Sequence, residues 1–358
     1  MFHTLGRALL FWLVLLETLA ANRGWRGLQA LRWPFDARTL LPLPLLAFAG
    51  LRARWSVRLL ALVLSAPLAL VVHVGVSSWR NAALDPRLRL RPGHYGAYTV
   101  EAHSIAMDEG WLPALHVVPA GGAVRAVCVL HGSGCEKTYY AWPLVDALIA
   151  AGCAVLLVDL DGHGENPRMQ RFPAILDDPR VAVAWLRERY THVGLLGLSL
   201  GGCIAACAAA AGLDVERLAV LEAPPKLHFT RVDVWREGAG LLRPYLLDLF
   251  SDSSVYAMVQ SWRAPPIRAA IGTWELIDAL DLLGSLPRLR MPTLLLYGGS
   301  DAIVKPQQAR QAAHVLPAGG RFRLLPGVSH LTLQVTPAAL CELHKWFAQL
   351  GKSATANG

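Results

Sequence analysis

From residue 98 onward, short apolar runs rich in valine and leucine alternate with stretches patterned as helices. The runs 98–105, 112–118, 126–130, 154–159, 193–197, 218–221, 293–297 and 321–325 read as strands. The intervening 142–151, 179–190, 201–211, 306–316 and 337–349 read as helices, with Pro306 and Pro337 at first-turn positions that tolerate proline. Short apolar runs alternating with patterns of helix length imply a mostly parallel sheet with crossover helices. The expectation is an α/β fold on eight strands. In such sheets ligands bind beyond the carboxyl ends of the strands. The residues just after each run are therefore the ones to read for chemistry.

After the 193–197 run comes Gly197-Leu198-Ser199-Leu200-Gly201, followed by Gly202. A serine becomes an accessible nucleophile when it projects from a sharp strand-to-helix turn, and flanking glycines let the neighbouring backbone pass close to it. The helix behind it offers free N–H groups to a developing oxyanion. After the 126–130 run comes His131-Gly132-Ser133-Gly134, a loop able to present a further amide. The oxyanion hole is assigned to the backbone amides of Ser133 and Leu200, with His131 holding the loop by hydrogen bonds. Gly298-Gly299-Ser300-Asp301 follows the 293–297 run, and Gly327-Val328-Ser329-His330 lies beyond the 321–325 run. An acid and a base at successive strand ends can orient an imidazole and activate a hydroxyl. Ser199, Asp301 and His330 stand in a known nucleophile–acid–base order, with Glu222 as the alternative acid.

These residues resemble the α/β-hydrolases, most closely the lipase, esterase and serine aminopeptidase group that includes monoacylglycerol lipases. The resemblance rests on HGSG (131–134), DLDGHGEN (159–166), GLSLGG (197–202), YGGSD (297–301) and GVSH (327–330), and covers roughly residues 98–350. It implies the α/β-hydrolase fold, catalytic Ser199, Asp301 and His330, an acyl-enzyme intermediate, and neither metal nor other cofactor. The family usually has Arg before Gly-His-Gly where this chain has Asp161, a change expected to alter salt bridges in that loop. The segment at about 224–291 is longer than an ordinary connection and occupies the position of the family's helical cap. It carries an apolar stretch at 241–250 together with Phe229, Trp235, Tyr245, Tyr256, Trp262 and Trp274. An aromatic cap suits a substrate with a hydrophobic acyl or alkyl group.

Residues 1–97 take no part in that resemblance. They hold 12 arginines against three acids (Glu17, Asp36 and Asp85), so they account for all of the chain's net +8, and the remainder is near neutral. Apolar runs at 8–21, 40–51 and 57–76 interrupt the arginines, and the third reaches the length of a bilayer span. Trp25, Trp33, Trp55 and Trp79 flank these runs, where interfacial aromatics are expected. Only 17% of the 358 residues are charged, below the roughly 25% of soluble domains. The expected organisation is an N-terminal membrane region (1–97) of two or three transmembrane or re-entrant segments, then a catalytic domain (98–358). The location expected is a bacterial inner membrane. With three crossings, the positive-inside rule places the catalytic domain in the cytoplasm, the orientation favoured here; if 40–51 does not cross, that domain lies on the other side.

The six cysteines show no zinc-type spacing. Cys128, Cys153, Cys203 and Cys207 read as small core residues, and Cys135 beside the oxyanion loop also reads as structural. The twelve histidines carry no metal-binding motif, and a near-neutral body disfavours nucleic acid. The function expected is a membrane-anchored serine hydrolase that cleaves carboxylic esters or thioesters of a small or lipid-like hydrophobic substrate. Amide cleavage, acyl transfer and a catalytically inactive membrane scaffold are the alternatives.

Overall fold

The computed structural model describes residues 2–22, 54–84, 92–138, 142–233, 236–237 and 267–352. They fall into two units. The larger contains a nine-stranded sheet in the order β1-β2-β3-β5-β4-β6-β7-β8-β9. Its strands are β1 (Gly93–His94), β2 (Tyr98–Ala106), β3 (Trp111–Pro119), β4 (Arg125–Leu130), β5 (Cys153–Val158), β6 (His192–Leu198), β7 (Arg217–Leu221), β8 (Thr293–Gly298) and β9 (Arg321–Leu325). β1, β2 and β3 pair antiparallel, β3 meets β5 antiparallel, and every pairing from β5 to β9 is parallel.

All eight expected strands are present, so the count of eight is corrected by one. The addition is the two-residue β1, whose Gly93 and His94 sit opposite Val100 and Thr99. A Gly-His pair carries no apolar signal, and only its partner strand makes it a strand.

The central parallel strands are largely apolar because both of their faces are covered, whereas the edge strand β9 carries the exposed Arg321 and Arg323. In β4, Ala126, Cys128 and Leu130 enter one core while Val127 and Val129 enter the other. β5 divides likewise, with Ala154, Leu156 and Val158 on one side and Cys153, Val155 and Leu157 on the other. Two helices, designated α3 (Trp142–Ala150) and α9 (Pro337–Phe347), pack over the second core. The first core is covered by α4 (Asp177–Arg187), α5 (Leu200–Ala210) and α6 (Thr273–Leu280). Between α6 and β8 lies the short α7 (Leu282–Ser285), and α8 (Pro306–His314) joins β8 to β9. α6 and α7 belong to the expected cap; its 241–250 stretch and Trp235, Tyr245, Tyr256 and Trp262 lie outside the described residues.

The smaller unit holds α1 (Phe2–Asn22) and α2 (Trp55–Leu84), which pack against each other. Ala61, Ser65 and Ala69 recur every four residues along α2 and are buried, as is Ala8 on α1. Trp12 Nε1 donates to the carbonyl of Leu62 at 3.0 Å, tying the helices together. The large apolar residues face outward: Leu59, Leu60, Val63, Leu64 and Val71 are each more than half exposed. The expected segments at 8–21 and 57–76 fall on these two helices, and the 40–51 run lies outside the described residues. Among the described residues, no helix is long and apolar enough to cross a membrane. The side chains of 14–22, 70 and 73–84 are outside the description.

Candidate active site

Ser199 sits between the last residue of β6 and the first of α5, at φ 49° and ψ −114°. A positive φ is strained for a residue with a Cβ, and such strain persists only where the surroundings impose it. Here they do. Ser199 N donates to Leu221 O on the adjacent strand at 2.8 Å, while its own carbonyl accepts from Gly202 N at 2.9 Å and Cys203 N at 3.2 Å. A Cβ on Gly197 would collide with the backbone of Gly201, and one on Gly201 would collide with the carbonyls of Leu130 and His131. The glycines therefore let a strand, a helix and the 131–134 loop converge behind the serine.

His330 Nε2 lies 3.2 Å from Ser199 Oγ, and His330 Nδ1 lies 2.8 Å from Asp301 Oδ2. The other carboxylate oxygen of Asp301 accepts the amides of Ile303 at 2.8 Å and Val304 at 2.7 Å. That fixes the carboxylate plane against the imidazole. Burial alone would lower the pKa of His330; the charge of Asp301 and its hydrogen bond outweigh it and raise the value above 6.5. The three residues expected from the sequence thus form one relay.

Glu222, the alternative acid, stands 3.9 Å from His330 Nδ1. Burial, reinforced by the nearby charges of Asp301 and Glu237, pushes its pKa well above the carboxylate range. Asp301, at 2.8 Å, is the carboxylate that hydrogen-bonds the imidazole, and Glu222 stands farther off. Glu237, in the cap segment, was not anticipated. Its Oε2 accepts from Ala302 N at 3.1 Å and its Oε1 from Leu331 N at 3.0 Å. One buried side chain therefore ties together the residues that follow the acid and the base. No spacing rule links a cap glutamate to two distant backbone amides.

The 131–134 loop lies against the nucleophile: a Cβ on Gly132 would stand 3.3 Å from Ser199 Cβ. Leu200 opens α5, where amides have no intrahelical acceptor. Both features suit the assigned oxyanion amides of Ser133 and Leu200. His131 Nε2 accepts from Leu160 N at 3.0 Å and its Nδ1 donates to Gly132 O at 2.8 Å. Burial, with His163 alongside, keeps that ring neutral. It is a loop anchor, as expected. Ser133 Oγ lies 3.1 Å from Thr273 Oγ1, joining the loop to the first residue of α6. Burial pushes the Cys135 thiol up to about 12, so it stays protonated. All six cysteines are unpaired. Asp161 meets Arg168 Nε at 3.3 Å and its amide donates to Asp178 Oδ2 at 2.7 Å. Burial raises the pKa of both carboxyls.

Residues 126–343 match the model of the alpha/beta hydrolase family. The chain belongs to the alpha/beta hydrolase family. As an alpha/beta hydrolase it is 30% identical over 238 residues to the pimeloyl-[acyl-carrier protein] methyl ester esterase of Stenotrophomonas maltophilia, covering 58% of this chain and 86% of that one. It is 26% identical to the enzyme of the same name from Neisseria meningitidis, over 63% of this chain and 94% of the relative. A thermophilic esterase from Thermogutta terrifontis shares the hydrolase fold, with a TM-score of 0.54 and 19% identity over 70% of this chain and 98% of the other.

Proposed function

We propose that this alpha/beta hydrolase cleaves carboxylic esters through nucleophilic attack by Ser199, on substrates with a hydrophobic acyl group, while attached to a membrane by its N-terminal region. The unbroken contact from Asp301 through His330 to Ser199 carries the catalytic reading. His330 Nε2 takes the hydroxyl proton as Ser199 Oγ attacks the ester carbonyl carbon. The carbonyl oxygen becomes an oxyanion held by the amides of Ser133 and Leu200. Collapse expels the alcohol, which receives the proton from His330 and leaves an acyl-serine. Water then attacks that ester with His330 as base, releasing the acid and restoring the serine. Asp301 holds the imidazole in the tautomer that keeps Nε2 free to accept, and stabilises the imidazolium.

The relatives named for a methyl ester on an acyl-carrier substrate support a small alcohol leaving group on a longer acyl chain. Within the cap, the Phe229 and Trp274 rings lie 4.9 Å apart and Trp274 is 46% exposed, which supports an apolar acyl partner. The membrane reading rests on the arginine-flanked apolar runs and on the outward-facing leucines and valines of α2.

A fluorophosphonate probe tests the catalytic reading. The native chain should be labelled and Ser199→Ala should not. A panel of methyl esters of increasing acyl length should then be hydrolysed with a preference for longer chains. Labelling that survives Ser199→Ala overturns the assignment of the nucleophile, and a preference for acetyl esters overturns the hydrophobic acyl group.

A further inference from the structure

We propose that Glu101, His103 and His116 form a binding site for a divalent transition metal, with zinc as the ion the donor set favours. Glu101 and His103 are two apart on β2, so their side chains leave the same face of the sheet. His116 on β3 is the direct cross-strand partner of Glu101. Strand register therefore gathers three donors separated in sequence. His103 Nε2 lies 3.3 Å from Glu101 Oε2, His116 Nδ1 lies 4.0 Å from the same oxygen, and all the donor atoms lie within 4.8 Å of one another. A tetrahedral zinc with bonds of about 2.0–2.1 Å holds its ligands roughly 3.3 Å apart. The set closes around such an ion with shifts below about 1 Å.

The surroundings support coordination. His116 Nε2 is 2.7 Å from Tyr190 Oη, which fixes the ring and turns Nδ1 towards Glu101. An outer hydrogen bond of this kind is what orients a metal-binding imidazole. His103 Nε2 is buried and, among the described residues, makes no hydrogen bond. The Trp185 ring stands 5.0 Å from both imidazoles and walls the site. Arg189, the neighbouring cation, stacks on Trp185 at 3.9 Å and pairs with Glu188 at 2.9 Å. Side-chain exposure rises from 7% at His116 through 32% at His103 to 52% at Glu101, leaving the carboxylate side open for entry and for a fourth ligand from water. Two imidazoles and one carboxylate suit zinc, whereas calcium and magnesium prefer all-oxygen sets. β2 and β3 carry none of the catalytic residues, so the ion would staple the antiparallel side of the sheet and take no part in ester chemistry.

The test is calorimetric titration of Zn²⁺ into the chelator-stripped full chain, with Co²⁺ as a spectroscopic stand-in. One equivalent should bind, raise the melting temperature, and give the visible bands of a tetrahedral cobalt site. His103→Ala should weaken binding by about 100-fold or more, with Ser199 labelling by fluorophosphonate kept as proof of folding. Should that variant fail to fold, Glu101→Gln, on a half-exposed side chain, should also weaken binding. Absence of a stoichiometric site in the native chain, or affinity unchanged in the folded variants, overturns the proposal.

Discussion

His330 must be neutral at Nε2 to accept the serine proton, so its titration sets the acidic side of the rate profile. The Asp301 charge outweighs desolvation and raises its pKa, so kcat/KM should fall as pH drops through a value above 6.5. Asp301→Asn removes that charge. It should lower kcat by about 10³–10⁴ and move the acidic limb downward. Glu222→Gln is the control: Glu222 stands 3.9 Å from the imidazole while Asp301 hydrogen-bonds it at 2.8 Å, so an amide of the same shape should leave kcat within a few-fold of native. A pH–rate series on the three proteins checks both outcomes, and a large loss in Glu222→Gln would return the anionic role to Glu222. Glu237→Gln presents an amide nitrogen to one of two backbone N–H groups, so one contact that ties the Asp301 and His330 loops together is lost. We expect roughly a tenfold loss in kcat, a smaller change in KM, and an acidic limb shifted down because Glu237 also contributes to the raised His330 pKa. Ser199, Asp301 and His330 were legible because each lies beyond the carboxyl end of a strand, where the topology delivers side chains to one edge. Glu237 was not, because its partners are backbone amides that any sequence supplies. The Glu101–His103–His116 group was hidden as well, since its proximity is created by cross-strand register across a hairpin.

At the scale of elements, the period of the apolar pattern carried the fold. The central strands are buried on both faces and stand out as apolar runs, β2 and β9 are more exposed and carry polar residues, and the two-residue β1 is held by its partner alone. The same logic makes the nucleophile turn testable. The carbonyls of Leu130 and His131 occupy the place where a side chain on Gly201 would begin, and backbone cannot rotate away as a flexible side chain can. Gly201→Ala must therefore push α5 away from β4. Overpacking of this kind costs about 1–3 kcal/mol. Chemical denaturation should show that loss, and fluorophosphonate labelling of the folded fraction should slow because Ser199 and the 131–134 loop no longer share one geometry. Gly121, which has open space around it, should accept alanine without either effect.

Across the whole molecule, charge and apolarity divide at the same place. The first 97 residues hold the excess arginines, and the hydrolase body is near neutral. The helix pair in that region is built the reverse way from the catalytic unit, with alanine and serine inside and leucine and valine outside. In water such packing leaves the larger apolar surface unburied. In lipid it is the expected arrangement, because small residues let helix backbones approach while long aliphatic side chains meet acyl chains. If the α2 face contacts lipid, placing charge on it must weaken attachment without touching the triad. Leu60 and Leu64, 57% and 53% exposed and one turn apart, are the positions to change. A charge on a lipid-facing surface is costly to keep out of water. The native chain should sediment with membranes, whereas Leu60→Asp/Leu64→Asp should be released in large part while keeping Ser199 labelling. Equal retention of the two proteins would place this face away from lipid and leave the exposed leucines as a surface for another protein.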